Sequence, residues 1–433
     1  MVDTLSRRNF NKLLFSGLLG SAFGLAGFPY RTVAAASSKR VVVVGGGFGG
    51  ATAARYLKMA DPSIAVTLVE PKAAFSTCPL SNWVIGGLKR MDEITHGYQV
   101  LRDRYKVEVI TDRAIGIDAA GQSVRLKGGK TLRYDRLVVA PGVDFIWGAI
   151  SGYSEQIAES RMPHAYEAGP QTLLLQRQLH SMADGENVII SSPANQFRCP
   201  AAPYERAGLI AHYLKQHKPK SRVIILDAKD GFTKQDLFMQ GWERRYPGMV
   251  EWRSASAGGA IGQVDAAAMT VSTEFGVEKG GVINVIPSQR AGRIAIDSGL
   301  TDASGWCPVH PVTFESRFHP GIHVIGDAAQ LSPMPKSGTS ASTQAKIVAS
   351  VIASAFTPGR ALSVLPLESL CYSLIAPGYA VSVKGMYHQT GQGIVEDPAS
   401  IALTSMDASG AQLADEESRA LEWYRMITAD IWG

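Results

Sequence analysis

Four cysteines, Cys78, Cys199, Cys307 and Cys371, and one nearby carboxylate, Glu205, are the side chains of this sequence best suited to redox chemistry. Four thiols are too few to staple a disulfide scaffold, but in an oxidising compartment a pair can cycle between dithiol and disulfide. They allow three complete pairings. Cys199 lies in Phe197-Arg198-Cys199-Pro200-Ala201-Ala202-Pro203-Tyr204-Glu205-Arg206, just before a predicted helix. The helix dipole and Arg198 are expected to stabilise its thiolate. Glu205 follows six residues later, about 1.7 turns on if the interval were helical. The intervening prolines leave its position open, and a solvated carboxylate at a helix start is the plain reading. Cys371 sits in Leu370-Cys371-Tyr372-Ser373-Leu374-Ile375-Ala376-Pro377. Cys78, in Phe75-Ser76-Thr77-Cys78-Pro79-Leu80, and Cys307, in Gly305-Trp306-Cys307-Pro308-Val309, read on their own as buried free thiols. No Cys-x-x-Cys-His occurs, so this chain attaches no c-type haem of its own. The nine histidines show no metal-ligand spacing, and no zinc pattern of paired cysteines is present.

The glycine cluster Gly45-Gly46-Gly47-Phe48-Gly49-Gly50 fits G-x-G-x-x-G. It follows the apolar run Lys39 to Val44, a predicted buried strand, and opens a predicted helix over Ala51 to Met59. Gly45, Gly47 and Gly50 permit the tight turn and the close approach of backbone to a pyrophosphate at the helix N-terminus. Glu70 ends the next strand, Ile64 to Glu70, where it can accept hydrogen bonds from a ribose diol. Further strands are expected at Val107 to Thr111, Leu137 to Ala140, Val188 to Ile190, Val223 to Asp227 and Gly321 to Ile325. Helices are expected at Tyr204 to Lys215, Ser340 to Ala355 and Asp415 to Ile431.

Two more motifs resemble the two-dinucleotide-domain flavoproteins. Gly326-Asp327-Ala328 after a buried strand is similar to their second FAD signature, where the aspartate binds the ribityl chain or a nearby phosphate. Leu137-Val138-Val139-Ala140-Pro141-Gly142 resembles their strand-turn motif between domains, which adds Ala140 and Gly142 to the expected FAD contacts. Lys336 and Ser337 precede the alanine-rich helix, whose N-terminus in that fold points at the flavin pyrimidine edge; a plain helix cap is the alternative. The second α/β unit departs from the pattern. Ser191-Ser192-Pro193-Ala194-Asn195 stands where a second glycine fingerprint would bind NAD(P)H, so electrons are expected from another donor.

The cysteine surroundings narrow the resemblance. Arg-Cys-Pro at Cys199, followed by Pro-Tyr-Glu-Arg, and Cys-Tyr-Ser-Leu-Ile at Cys371 resemble the flavocytochrome c sulfide dehydrogenase flavoproteins, which are related to the sulfide:quinone reductases. The resemblance implies a Cys199–Cys371 redox disulfide beside FAD and a thioether from Cys78 to the flavin 8α carbon. It leaves Cys307 free and makes Glu205 a base or proton relay. It implies attack of hydrosulfide on the disulfide, transfer of two electrons to FAD, and their passage to a c-type cytochrome subunit, with sulfur or polysulfide as product. Two alternatives remain: a sulfide:quinone reductase, and a non-catalytic flavoprotein that activates a sulfur-oxidation complex.

The rest of the chain fits that frame. Its 433 residues, 45% apolar and 19% charged, can build two to three domains. The net charge is +5, and Arg7, Arg8, Lys12 and Arg31 against Asp3 supply three of those charges, so no nucleic-acid partner is implied. Ser6-Arg7-Arg8-Asn9-Phe10, the apolar run Leu13 to Phe28 and small residues at Val33 to Ala36 read as a twin-arginine signal, with a periplasmic destination. The run falls short of the roughly 20 residues that span a bilayer, although a retained anchor is the alternative. The predicted C-terminal helix has Leu421, Tyr424, Ile427 and Ile431 at helical spacing and an acidic start. An interfacial helix would favour Lys and Arg, so this one is expected to dock on the protein or on a partner subunit, without stable membrane insertion. The expected fold is α/β, with two Rossmann-like (glutathione reductase-like) domains and a C-terminal α+β interface domain. The expected boundaries are a signal at 1–36, an FAD domain at 37–149 and 291–357, a degenerate NAD-like domain at 150–290, and a C-terminal domain at 358–433.

Overall fold

The structure is a computed structural model that describes residues 39–357, 359–360 and 365–433. The twin-arginine stretch lies outside the described residues. In chain order, β1 (Arg40–Val44) leads into α1 (Phe48–Ala60), followed by β2 (Ala65–Glu70), β3 (Glu108–Thr111) and β4 (Arg136–Val139). Next come β5 (Val188–Ser192), α2 (Ala202–His217), β6 (Val223–Asp227), α3 (Gln235–Arg245), β7 (Val250–Arg253) and β8 (Val282–Val285). The chain then forms β9 (Ile322–Val324), α4 (Gly338–Phe356), β10 (Leu367–Ala376), β11 (Tyr379–Gln389) and α5 (Gly410–Ile431).

The first sheet is parallel, in the order β9-β4-β1-β2-β3. Val41, Val42, Val43 and Val44 of its central strand are at most 5% exposed. Burying each such side chain contributes on the order of 1.5–3 kcal/mol, which explains why the run reads as one unbroken apolar block. α1 and α4 pack together against this sheet. The strand order reverses between β1 and β4, with Val44 beside Val139. At such a switch point the crevice beyond the carboxyl ends of the strands binds dinucleotides.

A second parallel sheet runs β7-β6-β5-β8. The space beyond its carboxyl ends is filled by its own side chains. Lys229 Nζ donates to Ser192 Oγ at 2.7 Å and to Pro193 O at 3.1 Å, and it pairs with the fully buried Asp227. Tyr204 OH donates to Asp227 Oδ2 at 2.6 Å, and the Tyr204 ring stacks on Phe232 with centroids 3.6 Å apart. This packing, together with the absent glycines, accounts for the loss of the second nucleotide fingerprint.

The expected α/β architecture of two nucleotide-type sheets is therefore the one observed. Two elements differ. The C-terminal stretch, in which no strand is placed from the sequence, forms a long antiparallel hairpin of β10 and β11 that places Cys371 opposite Val383. α5 begins earlier than expected, because Ser409 and Gln412 form a reciprocal cap ahead of it. α5 buries Leu413, Ala420, Tyr424, Thr428 and Ile431 against the chain itself. No helix among the described residues is long and apolar enough to cross a membrane.

Candidate functional site

The switch point opens into a cavity of about 490 Å³, within the roughly 300–1,000 Å³ of small-molecule sites. The glycine turn forms one wall. Gly45 has φ +99°, and a β-carbon there would collide with Ala140 O, so strand β4 can lie against the turn only with glycine at this position. A β-carbon on Gly50 would collide with Gly45 O. Gly50 therefore does not face the cavity; it closes the turn onto α1. Glu70 Oε2 accepts the Gly46 N–H at 2.8 Å and Oε1 accepts the Lys72 N–H at 3.1 Å. The carboxylate is thus fixed beside the turn and also lines the cavity. α1 has neither a side-chain cap nor an acidic residue in its first turn, which leaves its N–H groups free for an anion.

Asp327 enters from the turn after β9, and Ser337 and Gly338 from the start of α4. Ser337 Oγ accepts the Ser340 N–H at 3.2 Å, the plain cap weighed from the sequence. Burial raises the Asp327 carboxyl above its usual range, against the fields of Arg198 and Lys336. Arg198 Nη1 lies 3.9 Å from Asp327 Oδ2, while its Nε is buried with no hydrogen-bond partner. A glycine cradle, an uncapped helix end, a ribose-type carboxylate and an orphaned guanidinium donor together suit a dinucleotide such as FAD.

Cys78, Cys199, Glu205 and Cys371 line the same cavity. All four cysteines are free thiols, so the expected Cys199–Cys371 bond is not closed in this structure. Cys199 precedes α2 and holds a left-handed backbone, φ +52°, with its N–H donating to Lys336 O at 2.9 Å. A left-handed non-glycine residue stores strain of the kind found at functional sites. Burial first, then the fields of Cys371, Glu205 and Cys78, push its thiol well above the ordinary value, with Lys234 opposing. The thiolate stabilisation expected from the helix dipole and Arg198 is thus corrected: desolvation outweighs both. Glu205 stands in the first turn of α2, which Pro203 enters without breaking. It accepts from Asn82 Nδ2 at 2.7 Å, the Leu374 N–H at 2.9 Å and Trp83 Nε1 at 3.3 Å. Burial raises its carboxyl despite these bonds, so the solvated reading gives way to a cavity-lining acid.

The comparisons with known proteins divide the chain into three matched stretches. Residues 172–287 match the central domain of the sulfide dehydrogenase [flavocytochrome c] flavoprotein chain, and residues 365–432 match the flavocytochrome c sulphide dehydrogenase flavin-binding domain. Residues 39–173 match the pyridine nucleotide-disulphide oxidoreductases. The flavoprotein chain of sulfide dehydrogenase (flavocytochrome c) from Chlorobaculum thiosulfatiphilum is 74% identical over 37 residues, 8% of this chain and 77% of that sequence. This chain belongs to the flavocytochrome c sulfide dehydrogenase flavoprotein family. The sulfide-quinone reductase of Aquifex aeolicus is a more distant relative, 25% identical over 175 residues, which span 40% of this chain and 39% of that one. The fold is similar to the solved sulfide:quinone oxidoreductase of the same bacterium, with a TM-score of 0.70 at 16% identity over 90% and 92% of the two chains. It is also similar to putidaredoxin reductase, with a TM-score of 0.65 at 14% identity over 91% and 94%.

Within this flavocytochrome-family chain, Gly45, Gly47, Glu70, Cys78, Ala140, Gly142, Gly326, Asp327 and Ser337 also line the cavity. Lys336 sends its side chain elsewhere. Its Nζ donates to Asp327 O at 2.7 Å and Ala329 O at 3.0 Å and lies 3.8 Å from the Trp306 ring centroid. It fastens the turn that carries Asp327. Burial pushes the Cys307 thiol up to about 12, and the cavity does not reach it. Sequence reasoning missed Asn82, Trp83, Tyr166 and Lys234. None lies in a recognisable motif; the fold brings each beside a cysteine or Glu205.

Proposed function

We propose that this chain is the FAD-bearing, sulfide-oxidising subunit of a flavocytochrome c sulfide dehydrogenase. The observation that carries this reading is the meeting of Cys199, Cys371, Glu205 and Cys78 in the cavity that the glycine turn opens. The turn at Gly45–Gly50 and the start of α1 would hold the pyrophosphate, Glu70 the ribose, Asp327 the ribityl region, and Cys78 the flavin by a thioether. FAD, when bound, supplies a two-electron acceptor able to release electrons singly.

The cysteine pair works as a disulfide. Hydrosulfide attacks one sulfur, the bond between the cysteines breaks, and the other cysteine leaves as a thiolate. The incoming sulfur is oxidised by two electrons and the disulfide is reduced by the same two. Burial raises the Glu205 carboxyl above its ordinary range, which makes it a stronger base for the persulfide proton than an exposed carboxylate. A c-type cytochrome subunit takes the electrons, and the twin-arginine segment sends the loaded chain to the periplasm.

A quinone acceptor is the second reading, favoured by the quinone reductase relatives. Steady-state assays with sulfide separate the two. The account expects reduction of a c-type cytochrome and little reduction of a soluble quinone. The reverse pattern would make the chain a quinone reductase.

A further inference from the structure

Lys234 stands immediately before α3 in a left-handed conformation, φ +60° and ψ +27°, and is 6% exposed. A long non-glycine side chain held this way and buried calls for a reason. Its ammonium reaches across to β10. There it donates to Ser373 Oγ at 2.8 Å and Cys371 O at 3.2 Å, and it lies 3.7 Å from Cys371 Sγ. None of these partners is a carboxylate. A buried ammonium without an anionic partner is costly, and the groups whose charge it modulates are those of the site. Its field lowers both the Cys199 thiol and the Glu205 carboxyl against the stronger effect of burial. Cys371 lines the cavity and Lys234 does not.

We propose that Lys234 is the anion-holding residue of the cysteine pair: its ammonium stabilises negative charge on the Cys371 sulfur and favours an anionic sulfur nucleophile over a neutral one. This rests on the sulfide-oxidising reading of the site. When hydrosulfide opens the disulfide, its negative charge passes to the cysteines. Either Cys371 leaves as the thiolate, or it carries the new sulfur as a persulfide whose proton goes to Glu205. In both cases an anion forms at or next to Cys371 Sγ, and Lys234 is the cation beside it.

The test uses the reduced holoprotein and two reagents of similar size. Iodoacetate is anionic and iodoacetamide is neutral, and peptide mass spectrometry reads the rate at Cys371. In the wild type the iodoacetate-to-iodoacetamide ratio at Cys371 exceeds that of glutathione. In Lys234→Gln, which keeps donors but loses the charge, the ratio falls about fourfold or more, and Lys234→Arg restores it. A merely structural lysine would leave the ratio unchanged in Lys234→Gln. That result overturns the proposal, as does a wild-type ratio no higher than that of glutathione or a Cys371 that reacts with neither reagent. The wild-type comparison stands even where Lys234→Gln does not fold. Sulfide turnover is read on the same samples. An unchanged ratio with active wild type removes Lys234's role alone, whereas a confirmed charge effect with no sulfide turnover removes the sulfide reading alone.

Discussion

Glu205 Oε1 accepts the backbone N–H of Leu374 at 2.9 Å. The carboxylate in the first turn of α2 thereby grips the strand that carries Cys371, while Cys199 lies just ahead of the same helix. One residue ties together the two elements that bring the cysteines to one cavity.

Glu205→Gln keeps an oxygen acceptor for Leu374 and is expected to fold with flavin bound. Because burial raises the Glu205 carboxyl, the wild-type rate should begin to fall at a higher pH than an ordinary carboxylate would set, as that group takes up a proton. The variant should lose this acid limb, with turnover lowered about 10²-fold or more. Glu205→Ala strands the Asn82, Trp83 and Leu374 donors and should cost on the order of 1–3 kcal/mol for each left unsatisfied. Urea denaturation and a pH–rate profile read the two effects apart.

The glycine turn makes a paired prediction. Gly50→Ala forces a β-carbon onto Gly45 O and should abolish flavin retention during purification. Gly49→Ala meets Ile325 Cδ1 at 3.4 Å, Ile325 Cγ1 at 3.5 Å and Ala140 Cβ at 3.6 Å, all ordinary contacts, and should keep flavin. Flavin absorbance per protein after gel filtration checks both.

Cys78→Ser should release all flavin on acid denaturation, whereas the wild type keeps it on the peptide containing Cys78. Absorbance and mass of the precipitated protein decide this. Release from the wild type as well would remove the thioether.

His164 predicts an acid sensitivity. Burial, helped by Arg198 and Arg206, pushes its pKa down to about 3, and its Nδ1 accepts the Tyr166 N–H at 3.0 Å. The unfolded chain binds this proton below about 6.5, but the folded chain does so only near 3. Between those values the unfolded state holds more protons, so stability declines as pH falls, by up to about 1.4 kcal/mol per pH unit from this group. Urea midpoints from pH 7 to pH 4 should drop less steeply in His164→Gln.

The sequence revealed those parts of the fold set by local rules. Val41–Val44 are buried on both faces and read as an apolar run, and Gly45, Gly50 and Glu70 are required by the turn itself. The β10–β11 hairpin was hidden because Leu367–Ala376 mixes Glu368, Ser369, Cys371 and Ser373 among its apolar residues, so neither strict alternation nor a continuous run appears. Lys336 was misplaced for a related reason. Position in the chain put it before α4, but the carbonyls of Asp327 and Ala329 and the Trp306 ring capture its ammonium. Lys234 and Asn82 carry no local signal, since their partners lie 137 and 123 residues away.

The central claim is that sulfide reduces this protein through Cys199 and Cys371. Its most direct test is anaerobic addition of sulfide to the oxidised holoprotein while the flavin absorbance is followed. The account predicts rapid bleaching in the wild type and loss of that rapid phase in Cys199→Ser and Cys371→Ser, with flavin still bound. Equally fast bleaching without either cysteine would contradict the disulfide route, and a wild-type flavin that sulfide leaves oxidised would contradict sulfide oxidation altogether.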